Sequence, residues 1–165
     1  MTRGLGLALL ALTVVLDQLS KSWIVGYFDA ASSAAPALPV PQRVVAPFFN
    51  LVLTWNRGMS FGLFNRDSAW NAALFSALAV VIVTALLVWL WRSESALVAA
   101  VIGLVAGGAV GNVIDRLRLG AVTDFLDFHW GDWHFATFNL ADSAITVGVG
   151  FLLLDALLNR REKPY

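Results

Sequence analysis

The sequence predicts an all-α integral membrane protein: four transmembrane helices, with a β-prone run in the first loop. Three observations carry that prediction. The 165 residues are 59% hydrophobic and only 13% charged, where a soluble domain carries about 25% charged residues. That is more apolar material than one small core can bury. Two long apolar runs contain no charge at all, and the polar residues collect in the segments that would lie at one end of the bundle. The chain reads as a single domain, 1–165.

A membrane-crossing helix needs about 20 apolar residues, at about 1.5 Å of rise each across about 30 Å of hydrocarbon. The first span, 4–26, is uncharged from Gly4 to Leu16 and then must accommodate Asp17 and Lys21. An Arg3-plus-apolar start also resembles a secretory signal. However, Asp17 and Lys21 fall where a cleavage region would begin, so a retained span is the better reading. The second and third spans, 68–91 and 95–114, are separated only by Arg92, Ser93 and Glu94 and form an antiparallel pair. The fourth, 141–159, carries Asp142 at its start and Asp155 near its end.

Four spans put both termini on one side. Arg3, Arg92, Arg160, Arg161 and Lys163 would lie there, against Lys21, Arg43, Arg57, Arg66, Arg116 and Arg118 on the other. The raw count is no positive-inside signal, but the basic tail and the tight Arg92 turn lean cytoplasmic. Loops 27–67 and 115–140 then lie on the opposite side. The first holds four of the five prolines and a β-prone run, Phe48 to Trp55. The second holds Asp115, Asp124, Asp127, Asp132 and both histidines.

Composition excludes several functions. Eleven basic and eleven acidic residues cancel, leaving no field to recruit nucleic acid. With no cysteine there is neither disulfide, thiolate ligand nor thiol nucleophile. No H-E-x-x-H zinc motif or G-x-S-x-G elbow occurs. His129 and His134, beside Trp130 and Trp133, read as interfacial aromatic-belt residues rather than metal ligands.

Charges within a membrane are costly and mark candidate functional positions. Asp17 and Lys21 share a helix face near the outer boundary. They form either a structural pair with Lys21 snorkelling to the headgroups or a support for a site. Asn112, Asp115 and Arg116 stand at i, i+3 and i+4, and Gly103, Gly107 and Gly111 make a small-residue packing stripe. Asn139 and Asp142 suit a helix N-terminus, so capping competes with function there. Capping does not account for Asp124, set among Val122, Phe125 and Leu126. Two carboxylates at one interfacial level suit acid–base hydrolysis, one activating water while the other donates a proton.

Together these segments resemble the lipoprotein signal peptidase (signal peptidase II) family. The likeness runs through Asp17-Gln18-Leu19-Ser20-Lys21, Asn56-Arg57-Gly58-Met59-Ser60-Phe61-Gly62, GGAVGNVIDR at 107–116, GAVTDFLD at 120–127 and FNLADS at 138–143. The resemblance implies an aspartyl endopeptidase of the bacterial inner membrane, with four transmembrane helices, both termini cytoplasmic and a small periplasmic β-rich cradle built from the first loop. It would cleave prolipoproteins before a diacylglyceryl-modified cysteine, without metal or cofactor. Its partners would be lipid-modified prolipoproteins and membrane phospholipid, acting as a monomer. It maps the catalytic aspartates onto Asp124 and Asp142, and supporting positions onto Asp17, Lys21, Asn56, Gly108, Asn112, Asp115, Arg116, Asn139 and Ala141. One departure is Phe135-Ala136-Thr137, where members often carry a proline before the Phe-Asn pair; it bears on the chain's path into Asp142. The competing class is a non-enzymatic four-helix protein, a proton-coupled transporter subunit or assembly scaffold. A proton relay should spread polar groups through the bilayer depth, whereas the second span and the inner part of the third carry no charge.

Overall fold

The computed structural model describes residues 2–32, 41–57 and 69–159. Four helices, α1 (Thr2–Ser32), α2 (Ala69–Arg92), α3 (Ala96–Leu119) and α4 (Leu140–Asn159), are each long and apolar enough to cross a membrane. A four-stranded antiparallel sheet joins them, in the order β1 (Gln42–Ala46), β2 (Phe49–Asn56), β3 (Val122–Trp130) and β4 (Trp133–His134).

The bundle is organised by α3, whose buried face runs from Ala99 to Asp115. Its start is capped by Ser95, whose hydroxyl accepts from the Val98 N–H at 3.3 Å. The helix α1 runs parallel to it in a tight seam: Gly103 faces the Gly6 backbone, Gly107 faces Leu10 and Thr13, and Gly111 faces Asp17. A side chain at Gly111 would collide with the Asp17 carboxylate, and one at Gly108 with the Ala141 carbonyl. The glycine stripe thus works as the packing surface the sequence suggests. By contrast α2 and α4 turn many large apolar side chains outward, among them Leu74, Val81, Leu153 and Leu158. In a chain of spans these faces meet lipid.

Two predicted boundaries move. At 31 residues α1 would measure about 46 Å, longer than the hydrocarbon layer. Its last turns leave the bundle, where Ile24 and Phe28 bury against Phe125, with Leu51, Leu53 and Leu126 around them. The third span continues beyond 114 to Leu119, because Asp115 pairs with Lys21 of α1 and Arg116 with the Asn112 carbonyl, so neither needs a loop. Gly120 then ends it in the left-handed region (φ 70°), its N–H bonded to the Arg116 carbonyl at 3.0 Å. Only Ala121 separates that cap from β3.

The cradle is not the product of the first loop alone. Loop one supplies β1 and β2, the latter matching the predicted β-prone run. Its longest strand, β3, comes from the second loop. Asp124 and Asp127 obscure the strand pattern there, because both faces of β3 bury polar groups. The segment entering α4 follows its path without proline: Leu126 and Phe138 exchange backbone hydrogen bonds at 2.9 and 3.1 Å.

Candidate active site

Two layers of polar side chains occupy the end of the bundle beneath the sheet. The deeper one is ionic. Lys21 and Asp17 are 4% and 0% exposed. The Lys21 ammonium lies 2.8 Å from Asp17 Oδ2 and 3.0 Å from Asp115 Oδ2, and donates to Asn112 Oδ1 at 3.0 Å. Lys21 therefore does not snorkel; its three donors are met by three acceptors. Asp17 Oδ1 accepts the Ala141 N–H at 3.0 Å, tying α1 to the start of α4. Asp115 Oδ2 accepts the Thr123 N–H at 3.0 Å, tying α3 to β3.

The outer layer holds the two candidate catalytic carboxylates. Asp124, 1% exposed, accepts from Asn139 Nδ2 at 2.7 Å and from Asn56 Nδ2 at 3.0 Å. Asp142, half-buried, accepts from Asn112 Nδ2 at 2.8 Å and from the Asn139 backbone N–H at 3.3 Å. Asn139 is the hinge of the arrangement. Its side-chain oxygen accepts the Asp142 N–H at 2.9 Å, which completes a capping box at the start of α4. Its amide nitrogen faces Asp124 and also reaches Asn112 Oδ1 at 3.1 Å and the Thr123 carbonyl at 3.3 Å. Capping and site-building, alternatives in the sequence, are here one set of bonds.

Burial and the Asp142 charge raise the Asp124 carboxyl from 3.8 to about 7, in that order of importance, against the lowering effect of the Asn56 and Asn139 amides. Arg116 is placed at the rim: Nη1 donates to the Asn112 carbonyl at 3.4 Å and the guanidinium stands 5.6 Å over the Phe75 ring. Gly108 contributes by absence of a side chain, letting α3 approach the Ala141 backbone. All eleven residues singled out from sequence thus converge on one end of the bundle. Of the Asn56-to-Gly62 motif only Asn56 and Arg57 are within the described residues, and Phe61 lies outside them.

Three contributors are not among the site residues assigned from sequence. Gln18 Nε2 donates to Asp115 Oδ1 at 2.9 Å and to the Gly111 carbonyl at 3.3 Å. Thr123 joins both layers through its backbone. Thr54 Oγ1 donates to the Asp124 carbonyl at 3.2 Å and lies 3.2 Å from the Thr137 hydroxyl. Gln18 sits inside the Asp17–Lys21 segment and Thr123 directly before Asp124, so their signal is adjacency; Thr54 acts from a neighbouring strand and leaves no signal in the sequence. Asp127 is buried as well, accepting from Asn50 Nδ2 at 2.9 Å and contacting His134 Nδ1 at 2.9 Å. Among the described residues, no cluster of three or more His, Asp or Glu is arranged to hold a metal ion.

Membrane-crossing helices with buried, bridged carboxylates at one end define a multi-pass membrane enzyme as the class. Residues 9–158 match the family described as Signal peptidase (SPase) II. The chain is 42% identical over 155 residues to the lipoprotein signal peptidase of Coxiella burnetii (strain RSA 493 / Nine Mile phase I), covering 93% of this chain and 90% of that one. It is 44% identical over 155 residues to that of Burkholderia vietnamiensis (strain G4 / LMG 22486), covering 93% and 86%. A solved bacterial membrane enzyme superposes with a TM-score of 0.72 at 28% identity, over 98% of this chain and 94% of that one. This chain belongs to the signal peptidase II family. The transporter or scaffold alternative is not favoured.

Proposed function

We propose that this chain, a protease that removes signal peptides in lipoprotein processing, is an aspartic endopeptidase whose catalytic pair is Asp124 and Asp142. The observation that carries the reading is Asn139, which bonds both carboxylates at once. Asp124, with its carboxyl raised to about 7, holds the proton and is the general acid. Asp142, at the N-terminal end of α4, is the less buried of the two and the one open to water, and is assigned the role of base. Asp142 takes a proton from water as the oxygen attacks the scissile carbonyl. Asp124 gives its proton to the leaving amine as the C–N bond breaks, leaving a carboxylic end on the signal peptide and a free amine on the product.

The substrate class is a prolipoprotein already carrying diacylglycerol on its cysteine, cut just before that residue. Acyl chains hold such a substrate in the bilayer and set its scissile bond near the surface, the level at which α3 ends and α4 begins. The site is assigned to the periplasmic face of the inner membrane, with both termini cytoplasmic, in a single domain acting as a monomer. Asn56 reaches Asp124 from β2 and is assigned to aligning substrate backbone against it. Asp17, Lys21, Asn112, Asp115, Arg116, Gly108 and Ala141 are support.

Cleavage of a diacylglyceryl-modified prolipoprotein, followed by gel shift, tests the pair. Asp124→Asn and Asp142→Asn should each lower turnover by about a thousandfold or more, and the double variant should be no worse than either, since such residues act as a unit. Near-normal cleavage by a folded Asp124→Asn or Asp142→Asn variant would remove that residue from the pair.

A further inference from the structure

We infer that the β3–β4 hairpin rests in the interfacial layer of the phospholipid bilayer, with Trp130 and Trp133 as its anchors. The inference rests on the reading of Asp124 as catalytic. Along β3, Asp124, Leu126, Phe128 and Trp130 alternate onto one face of the sheet. That face changes steadily: Asp124 is buried, Leu126 half-buried, Phe128 42% exposed and Trp130 84% exposed. Trp133 is the register partner of Trp130 across the hairpin and is 65% exposed. If Asp124 meets a peptide bond presented by a lipid-anchored substrate, its face of β3 is turned to the membrane. Trp130, six residues and about 20 Å further along the strand, is then turned to it as well.

The rings form a continuous path. Centroids lie 4.8 Å apart for Phe49 and Phe128, 5.9 Å for Phe128 and Phe138, 6.1 Å for Phe138 and Phe135, and 6.4 Å for Phe135 and Trp133. Phe138 precedes Asn139, so the path starts beside the carboxylates and ends at the exposed tip. The hairpin is also tethered between two spans, by Gly120 and Ala121 on one side and residues 135–139 on the other. Indoles favour the headgroup boundary, where the ring is apolar and the N–H stays wet. The stretch 126–135 has no lysine or arginine. The contact is accordingly with the acyl–headgroup boundary of any phospholipid and not with anionic headgroups.

The cysteine-free sequence makes a direct test simple. Asp132→Cys in the full chain, nitroxide-labelled and reconstituted in phosphatidylcholine bilayers without substrate, reports depth by its relative accessibility to oxygen and to a water-soluble nickel chelate. Oxygen accessibility exceeding that of the chelate, unchanged by added salt, is the expected result. Water-like accessibility would overturn the inference. So would protection appearing only when a diacylglyceryl peptide is added, which would make substrate the occupant, or dipolar broadening that grows with protein density, which would make it a second copy. A second variant, Trp130→Ser with Trp133→Ser, should raise the KM for lipidated substrate in bilayers at least fivefold with kcat within twofold. Unchanged KM would contradict it. The depth measurement stands without activity, so a failure of the Asp124 assignment and a failure of the membrane contact give different results.

Discussion

The two layers of the site contain similar residues and treat them oppositely. In the inner layer Asp17 and Asp115 share the Lys21 ammonium, each within 3.0 Å of it, and the third Lys21 donor is met by Asn112. In the outer layer Asp124 and Asp142 are held by neutral amides, with no cation in hydrogen-bond contact among the bonds described. A cation fixes a carboxylate as an ion; amides position one while leaving a proton able to come and go. Burial then costs the inner layer little in chemistry and gives the outer layer its raised Asp124 carboxyl. The inner layer is equipment for geometry and the outer for proton transfer.

Breaking the inner layer should cost folding before it costs chemistry. Lys21→Met leaves two carboxylates buried without their cation, and should destabilise the protein by about 3–5 kcal/mol. The thermal midpoint in a fixed detergent, compared with that of Asp17→Asn with Lys21→Met, measures this. The double variant should recover part of the loss because one unpaired charge is gone.

The outer layer should show the reverse. The folded chain retains a proton on Asp124 that the unfolded chain releases above about pH 4. Stability from this group is complete below that pH and is lost as pH rises toward 7. The shift from 3.8 to about 7 corresponds to about 4 kcal/mol as an upper figure. Asp124→Asn cannot ionise, so it should melt higher than the native sequence at pH 8 while gaining much less at pH 4.5. An inactive but stabilised variant is the expected signature of a site that sacrifices stability for activity.

The smallest effects sharpen the boundary between the site and its surroundings. Asp127→Asn should cost about 1–3 kcal/mol through its buried contacts with Asn50 and His134 while leaving substrate turnover within a fewfold. Asp132, in the exposed turn, should tolerate Asn within about 0.5 kcal/mol. Chemical denaturation alongside the cleavage assay separates the two.

Much of this was legible in the sequence because membrane spans and helix faces are local. The four spans, the Asp17–Lys21 pair and the alignment of Asn112, Asp115 and Arg116 follow from residue spacing alone. What was not legible is lateral. Nothing in spacing says that the Ala141 N–H meets Asp17 across 124 residues, or that Asn139 serves both carboxylates. The strand β3 was hidden for a related reason. Alternation reveals a strand when one face is polar and wet, and here polar side chains are buried on both faces. The first span read from sequence ends at 26, whereas α1 runs on to Ser32, with Ile24 and Phe28 packed against the sheet, a contact that spacing does not reveal.

The central claim is that one outer-layer carboxyl is protonated near neutral pH and that it belongs to Asp124. Infrared titration of the reconstituted enzyme tests it most directly, as the difference between the native sequence and Asp124→Asn in the carboxylic C=O stretch. The expected result is a protonated-carboxyl band that disappears on raising the pH through about 7 and is missing from Asp124→Asn. A native spectrum with no such band above pH 5, or a band that persists in Asp124→Asn, would contradict the assignment.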